Sequence, residues 1–229
     1  MPIVIVGVDH QSAPLILRER LAIPAPALPG ALAQLRATLG YGILLSTCNR
    51  TELITLDDSG ADMACETLAA ICAVPRDEIA SHLRVSTGGY AVARLLRIVS
   101  GLDSLIVGED QILAQFKAAL DAAAKAGSLD PNLHRLGQVA LATGKRVRTE
   151  TTIAQGSLSV VSMALREAAA QLGGLTERSV LVVGAGDTGE LVLKHLTKSG
   201  RSRPAGITLI NRTDERAQQV AARSSVRLI

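Results

Sequence analysis

The apolar positions change their period along the chain, and each change marks an element. Ile3 to Val8 is a short run of aliphatic and small residues that predicts a first strand. Ala13-Pro14 opens a helix through Leu21, and a second helix is expected from Leu28 to Leu39. Two more strands, Ile43 to Thr47 and Glu52 to Leu56, flank a polar turn, and a helix runs from Ala61 to Cys72. From Gly89 onward the period is helical, with Val92, Leu95, Leu96 and Val99 on one stripe. Gly101-Leu102-Asp103-Ser104 interrupts that stripe, and Gly108-Glu109-Asp110-Gln111 leads into a long helix ending near Gly127. Asp130-Pro131 opens the next helix, with Pro at its first position. His134, Arg135, Lys145, Arg146 and Arg148 lie on it. Lys145 and Arg148 share a face, a candidate for phosphate contact or equally a solvated basic face.

Gly173-Gly174 closes the helical region. Ser179 to Val183 then reads as a buried parallel strand, Glu190 to Leu196 as a helix, Ile207 to Ile210 as a second strand and Val226 to Ile229 as a third. The pattern predicts three parts. Residues 1–155 form an α+β catalytic domain, a small sheet plus a helical bundle. Residues 156–174 form a linker helix, and 175–229 a partial α/β Rossmann-type domain. A complete dinucleotide fold has about six strands in two halves, so the chain is expected to hold only the first half.

Composition narrows the class. Of 229 residues, 48% are hydrophobic, so a core is easily built. Much of that share is alanine, which favours helices. No run approaches the roughly 18 apolar residues of a membrane span, and Met1 to Gly7 has no basic region to make it a signal peptide. Three Cys with no metal-like spacing imply a reducing, cytoplasmic setting. Cys65 and Cys72 share a helical face and are expected in the core. A net charge of +3 permits contact with nucleic acid without arguing for it.

Two stretches carry candidate chemistry. Ser46-Thr47-Cys48-Asn49-Arg50-Thr51-Glu52 places a thiol beside a guanidinium where a buried strand turns polar. A neighbouring cation favours thiolate, the nucleophilic form. The bland alternative is an inert Cys at a strand end. Downstream, Gly184-Ala185-Gly186-Asp187-Thr188-Gly189 sits between a strand and a helix, the context that the dinucleotide fingerprint requires. Gly184 permits the turn, Gly186 lets backbone approach a pyrophosphate, and Gly189 lets helix and strand pack closely. Asn211-Arg212-Thr213 ends the next strand, where an NAD site usually has an acid. A guanidinium there suits a 2′-phosphate, so the expected cofactor is NADPH. A solvated Arg212 opening a helix is the alternative.

Taken in order, these motifs resemble the glutamyl-tRNA reductase family. Gly7-Val8-Asp9-His10-Gln11-Ser12-Ala13-Pro14 is similar to its opening and Ser46 to Glu52 to its nucleophile motif. Ser100 to Ser104 with Gly108 to Leu113 is similar to its central signature. Gly144 to Thr151 and Asn211-Arg212-Thr213 resemble it too. The resemblance implies an NADPH-dependent reduction of glutamyl-tRNA(Glu) to glutamate-1-semialdehyde, the first step of tetrapyrrole synthesis from glutamate. Cys48 would form a thioester. Arg50 and Ser104 would bind the glutamyl group, with Thr47, Asn49, Glu52, Glu109 and Gln111 lining the pocket. The fingerprint residues 184–189 and 211–213 would hold NADPH. The downstream semialdehyde aminomutase is a partner suggested by the same resemblance; no membrane and no metal are implied.

Two departures stand out. The family places His where this chain has Arg94, and Arg cannot act as a general base at neutral pH; Arg94 could instead hold the thiolate or a substrate carboxylate. The family's C-terminal dimerising helices are absent from this length, which argues against its homodimer. A second function class therefore stays open: a truncated relative that binds or only hydrolyses glutamyl-tRNA. A third is an unrelated dehydrogenase with a structural Cys48.

Overall fold

β1 (Ile3–Asp9) is the hub of a four-stranded antiparallel sheet. It pairs on one side with β3 (Arg50–Leu56) and on the other with β4 (Arg84–Thr87), while β2 (Ile43–Ser46) flanks β3, giving the order β2-β3-β1-β4. This is a computed structural model, and it describes residues 2–56, 58, 61–109, 111–154, 160–198 and 203–229. The chain divides into two compact units, Met1–Ser157 and Leu158–Ile229. The architecture is an α+β unit followed by a partial Rossmann-type unit.

In the first unit, every residue of β3 is buried, because helices cover both faces of the sheet. Val8 packs with Leu17 and Leu21 of α1 (Leu15–Leu21), Ala69 of α3 (Asp62–Ile71) and Ile79 of the short α4 (Arg76–Ile79). Asp9, Gly7 and Ile5 point to the other face by strand alternation. There α5 (Gly88–Val99) and α6 (Gln111–Lys125) bring in Leu95, Ile98, Ile112 and Phe116, and α2 (Leu28–Leu39) adds Leu32 and Leu35 to the same core. α7 (Pro131–Glu150) starts where expected: the Asp130 side chain accepts from the Leu133 amide at 2.7 Å, with Pro131 in the first turn. It lies close against α6. A Cβ at Gly137 would come within 2.5 Å of Leu120, and one at Gly144 within 2.8 Å of the Val99 carbonyl.

Two elements lie outside the sequence expectation, α4 and β4. β4 is a four-residue edge strand with one aliphatic side chain, Val85, and that exposed, so no apolar alternation announces it.

The second unit begins with α8 (Val160–Leu172), which ends at Gly173 and Gly174, both with positive φ. β5 (Ser179–Val183), β6 (Gly206–Ile210) and β7 (Arg227–Leu228) are parallel in that order, joined by α9 (Asp187–Lys198) and α10 (Asp214–Ser224). Val182 and Leu209 pack on Leu193, Leu196 and Val220. β5 lies at the sheet edge, and its alternate residues Leu181 and Val183 are 59% and 78% exposed.

Candidate functional site

The turn after β2 is held from several directions. The Thr47 amide donates to the Arg50 carbonyl at 2.8 Å. The Thr47 hydroxyl accepts from the amides of Asn49 and Arg50, each at 3.2 Å. At its neck the Ser46 hydroxyl accepts from the Ile23 amide at 2.9 Å and sits 3.2 Å from the Thr51 hydroxyl. Cys48 stands exposed at the tip. The cation whose hydrogen bonds meet this turn is Arg18 of α1. Its Nη1 donates to the Cys48 carbonyl at 2.8 Å and to Asn49 Oδ1 at 3.2 Å, and its Nε to the Ala13 carbonyl at 3.2 Å. Sequence reasoning missed it, because a charged residue in a short amphipathic helix reads as solvated and nothing in spacing ties it to a turn 30 positions away.

Arg50, the cation expected beside the thiol, sends its guanidinium down into the sheet. It is buried, and donates to Glu52 Oε1 at 3.0 Å and to the Asp103 carbonyl. Glu52 is fully buried and shares that same oxygen with Arg94 at 3.2 Å. Arg94 also donates to the Arg84 carbonyl at 2.9 Å and reaches the Ser86 hydroxyl at 3.4 Å. Its hydrogen bonds thus run to β3 and β4, not to the Cys48 turn. The second Glu52 oxygen and the hydroxyl of buried Ser104 have no hydrogen-bond partner among the described residues, an arrangement that costs free energy unless a ligand supplies one.

Between Glu52 on β3 and Arg84 on β4, β1 offers no side chain. Gly7 is the register partner of both Glu52 and Arg84. A Cβ on it would lie 2.3 Å from the Thr51 carbonyl and 2.8 Å from the Glu52 side chain. Two residues on, Asp9 accepts from the amides of Gln11 and Ser12 at 2.9 and 3.1 Å and pairs with Arg84. Burial works against its charge, but Arg84, the Gln11 amide and Arg50 together hold the carboxyl below its ordinary value.

The segment from Gly101 to Gln111 closes the far side. Gly101 and Gly108, both at positive φ, meet through a 2.9 Å hydrogen bond from the Gly108 amide to the Gly101 carbonyl. Arg97 clasps Asp103 with bonds of 2.7 and 3.0 Å. Arg148 donates to the Gly108 carbonyl at 3.3 Å and to that of Glu109. Of the two residues expected to meet phosphate, Arg148 is thus committed to loop carbonyls, while Lys145 is exposed. Glu109 is half-buried, and Gln111, the first residue of α6, is exposed. Asp110 lies outside the described residues. The other two thiols are set apart from this chemistry. Burial raises the Cys65 thiol, and it pushes Cys72, whose Sγ faces the Leu21 carbonyl at 3.4 Å, up to about 12.

In the second unit, Gly184 takes φ +107°, and its amide donates to the Ile210 carbonyl at 2.8 Å. Gly189 packs so tightly that a Cβ would sit 2.0 Å from the Gly184 carbonyl. Gly186 has nothing within 4 Å of its Cβ position. Asp187, Thr188 and Gly189 form the first turn of α9, whose amides have no intrahelical acceptor. Open space over Gly186 beside such a helix start fits a pyrophosphate. Asn211 braces the loop: its Oδ1 accepts from the Ala185 amide at 3.0 Å, and its Nδ2 donates to the Thr213 carbonyl at 2.9 Å. Arg216, unremarked in the sequence, donates to the Ala185 carbonyl at 2.7 Å. Arg212 is exposed. No group of three metal-ligating side chains occurs among the described residues, and no described helix is long and apolar enough to cross a membrane.

A family model for the N-terminal domain of glutamyl-tRNA(Glu) reductase matches residues 6–151. The chain belongs to the glutamyl-tRNA reductase family. Glutamyl-tRNA reductase of Herpetosiphon aurantiacus is 43% identical over 228 residues, 99% of this chain and 54% of the relative. That of Thermus thermophilus is 44% identical over 224 residues, again 54% of the relative. The solved glutamyl-tRNA reductase from Methanopyrus kandleri superposes with a TM-score of 0.65 at 34% identity, over 99% of this chain and 53% of that one. The chain thus spans about half the length of the reductases it matches. Residues 166–228 also match a shikimate/quinate 5-dehydrogenase model. The reductase-domain match contains Cys48, Arg50, Glu52, Arg94 and Ser104, and the dehydrogenase match contains the 184–189 loop and Arg212.

Proposed function

We propose that this chain carries the acyl-capturing and NADPH-binding parts of a glutamyl-tRNA reductase acting in tetrapyrrole synthesis. The observation that carries this reading is an exposed Cys48 on a braced turn whose next residues, Arg50 and Glu52, run into a buried cluster with unsatisfied polar atoms. The Cys48 sulfur attacks the ester carbonyl carbon of glutamyl-tRNA. A carbon–sulfur bond forms, the carbon–oxygen bond to the terminal ribose breaks, and the proton lost by the thiol ends on the released ribose hydroxyl. Covalent capture divides one hard step into two easier ones. Arg50, Ser104 and the open Glu52 oxygen take the charged ends of the glutamyl group, with Thr47, Asn49, Glu109 and Gln111 around it. Arg94 holds the Glu52 carboxylate in place by pairing with it, an electrostatic rather than an acid–base contribution.

The 184–189 loop and the α9 start would hold the pyrophosphate of NADPH, with Asn211 and Thr213 shaping the loop and Arg212 answering the 2′-phosphate. The chemistry that NADPH would supply is hydride donation. Three free thiols suit a reducing, cytoplasmic setting. A second reading, capture and hydrolysis without reduction, is favoured by Arg94 standing where the resemblance expects His.

The test is trapping of labelled glutamate on the protein, followed by assay of glutamate and semialdehyde side by side. Cys48→Ser is expected to abolish trapping, while Cys65→Ala and Cys72→Ala retain it. Trapping that survives Cys48→Ser overturns the proposal. Semialdehyde without free glutamate sinks the second reading.

A further inference from the structure

The Arg18 contacts fix more than the backbone of the turn. A guanidinium is only a donor. Whatever it binds must present an acceptor, and in this turn it binds the Cys48 carbonyl and the Asn49 carboxamide. The carboxamide must therefore turn its oxygen to Arg18, an orientation dictated by chemistry and not by the similarity of N and O in shape. Its other end, Nδ2, makes no hydrogen bond among the described residues. The Asn49 main chain cannot swing to change this, since its amide is tied to the Thr47 hydroxyl at 3.2 Å. Arg18 in turn is anchored at the start of its own helix, through Nε to the Ala13 carbonyl. The result is a donor NH2 of set orientation, one residue from the nucleophile.

We propose that Arg18 is a positioning residue that turns the Asn49 carboxamide so that Nδ2 donates to the carbonyl oxygen of the ester attacked by Cys48. That oxygen gains negative charge as sulfur adds, and a donor oriented beforehand stabilises it without reorganising. The inference rests on the acyl-capture reading above. It assigns Arg18 to the orientation of Asn49 and not to the thiol itself.

The test uses the full chain with Arg18→Met, Asn49→Ala, the double variant and Arg18→Lys. Single-turnover capture of glutamate from glutamyl-tRNA should slow by about 10²-fold in each single variant, the usual cost of one such donor. The double variant should lose no more than either single one, because the two act as a unit. The half-saturating concentration should stay within about twofold, as expected for an interaction made only in the transition state. Alkylation of Cys48 by iodoacetamide displaces iodide and builds no oxyanion, so it should remain within about threefold of the unmodified chain. Additive losses, or alkylation falling in step with capture, overturn the proposal. Arg18→Lys keeps the charge but has one nitrogen for three acceptors, and is expected to lose capture like Arg18→Met. Full activity in it is equally fatal, and it serves if Arg18→Met fails to fold.

Amide hydrogen exchange across Thr47–Arg50 needs no glutamyl-tRNA. It should quicken by about tenfold in the Arg18 variants as the turn loosens. Unchanged exchange overturns the clamp even if the unmodified chain captures nothing, whereas absent capture with quickened exchange removes the function reading alone.

Discussion

At the end of β2 the chain turns into Cys48, and at the end of β5 it turns into Gly184, and the two turns are made of opposite materials. The first is a side-chain construction. Asp9, Arg50, Glu52, Arg84 and Arg94 meet inside or against a sheet, and each is held by a named partner. The second is a backbone construction, in which glycines make room and Asn211 and Arg216 merely steady the loop. Burying charge is expensive and recovers stability only where the pairing is good. A glycine loop has no such debt, but it depends on the absence of atoms. The first site should therefore fail when a group is removed, and the second when one is added.

The hardest blow to the first site is Glu52→Ala, which leaves Arg50 and Arg94 buried without their shared carboxylate. A loss of about 3–5 kcal/mol is expected in denaturant unfolding; a loss under 1 kcal/mol would mean that the arginines find other partners. The glycine loop is probed next, by addition. Gly189→Ala should cost about 1–3 kcal/mol, since its Cβ has nowhere to go. Gly186→Ala should leave the melting temperature alone and weaken nucleotide binding, measured by titration calorimetry. Equal melting losses for the two would erase the distinction between a packing glycine and a clearance glycine. Arg212→Glu comes third: losing a charge-assisted bond worth about 1.5–3 kcal/mol should remove a preference for NADPH over NADH, with no effect on glutamate trapping.

The smallest effect concerns Asp9→Asn. The folded carboxyl is held below its ordinary value of 3.8, so its contribution is complete above about pH 4 and is lost as pH falls through the folded value. Because Arg84 is 38% exposed, screening leaves about 0.5–1 kcal/mol at neutral pH. Unfolding curves of the two proteins should converge in acid; a constant gap would mean that the charge on the carboxyl contributes nothing to folding.

The same contrast explains what could be read from the sequence. The glycine loop announces itself, because its conformation demands a residue type at fixed local spacing between a strand and a helix. So does the α7 start, where Asp130 and Pro131 do locally what a cap requires. The polar turn that exposes Cys48 was legible from the strand before it, but the destination of the Arg50 guanidinium was not, since it depends on register with β1 and on Asp103 more than 50 residues away. Arg84 escaped notice together with β4, a strand too short and too polar to show its period. Arg18 and Arg216 look like ordinary surface charges until the chain folds and gives them carbonyls to hold.

Gly7 carries no functional group, yet the Glu52 side chain runs past the space where a side chain on Gly7 would be. A single methyl there would push apart two strands or displace the carboxylate, breaking the charge cluster from its blind side. Loss of the proposed capture can thus originate at a residue without a functional group. A survey of variants confined to polar side chains would pass over the position on which their alignment depends.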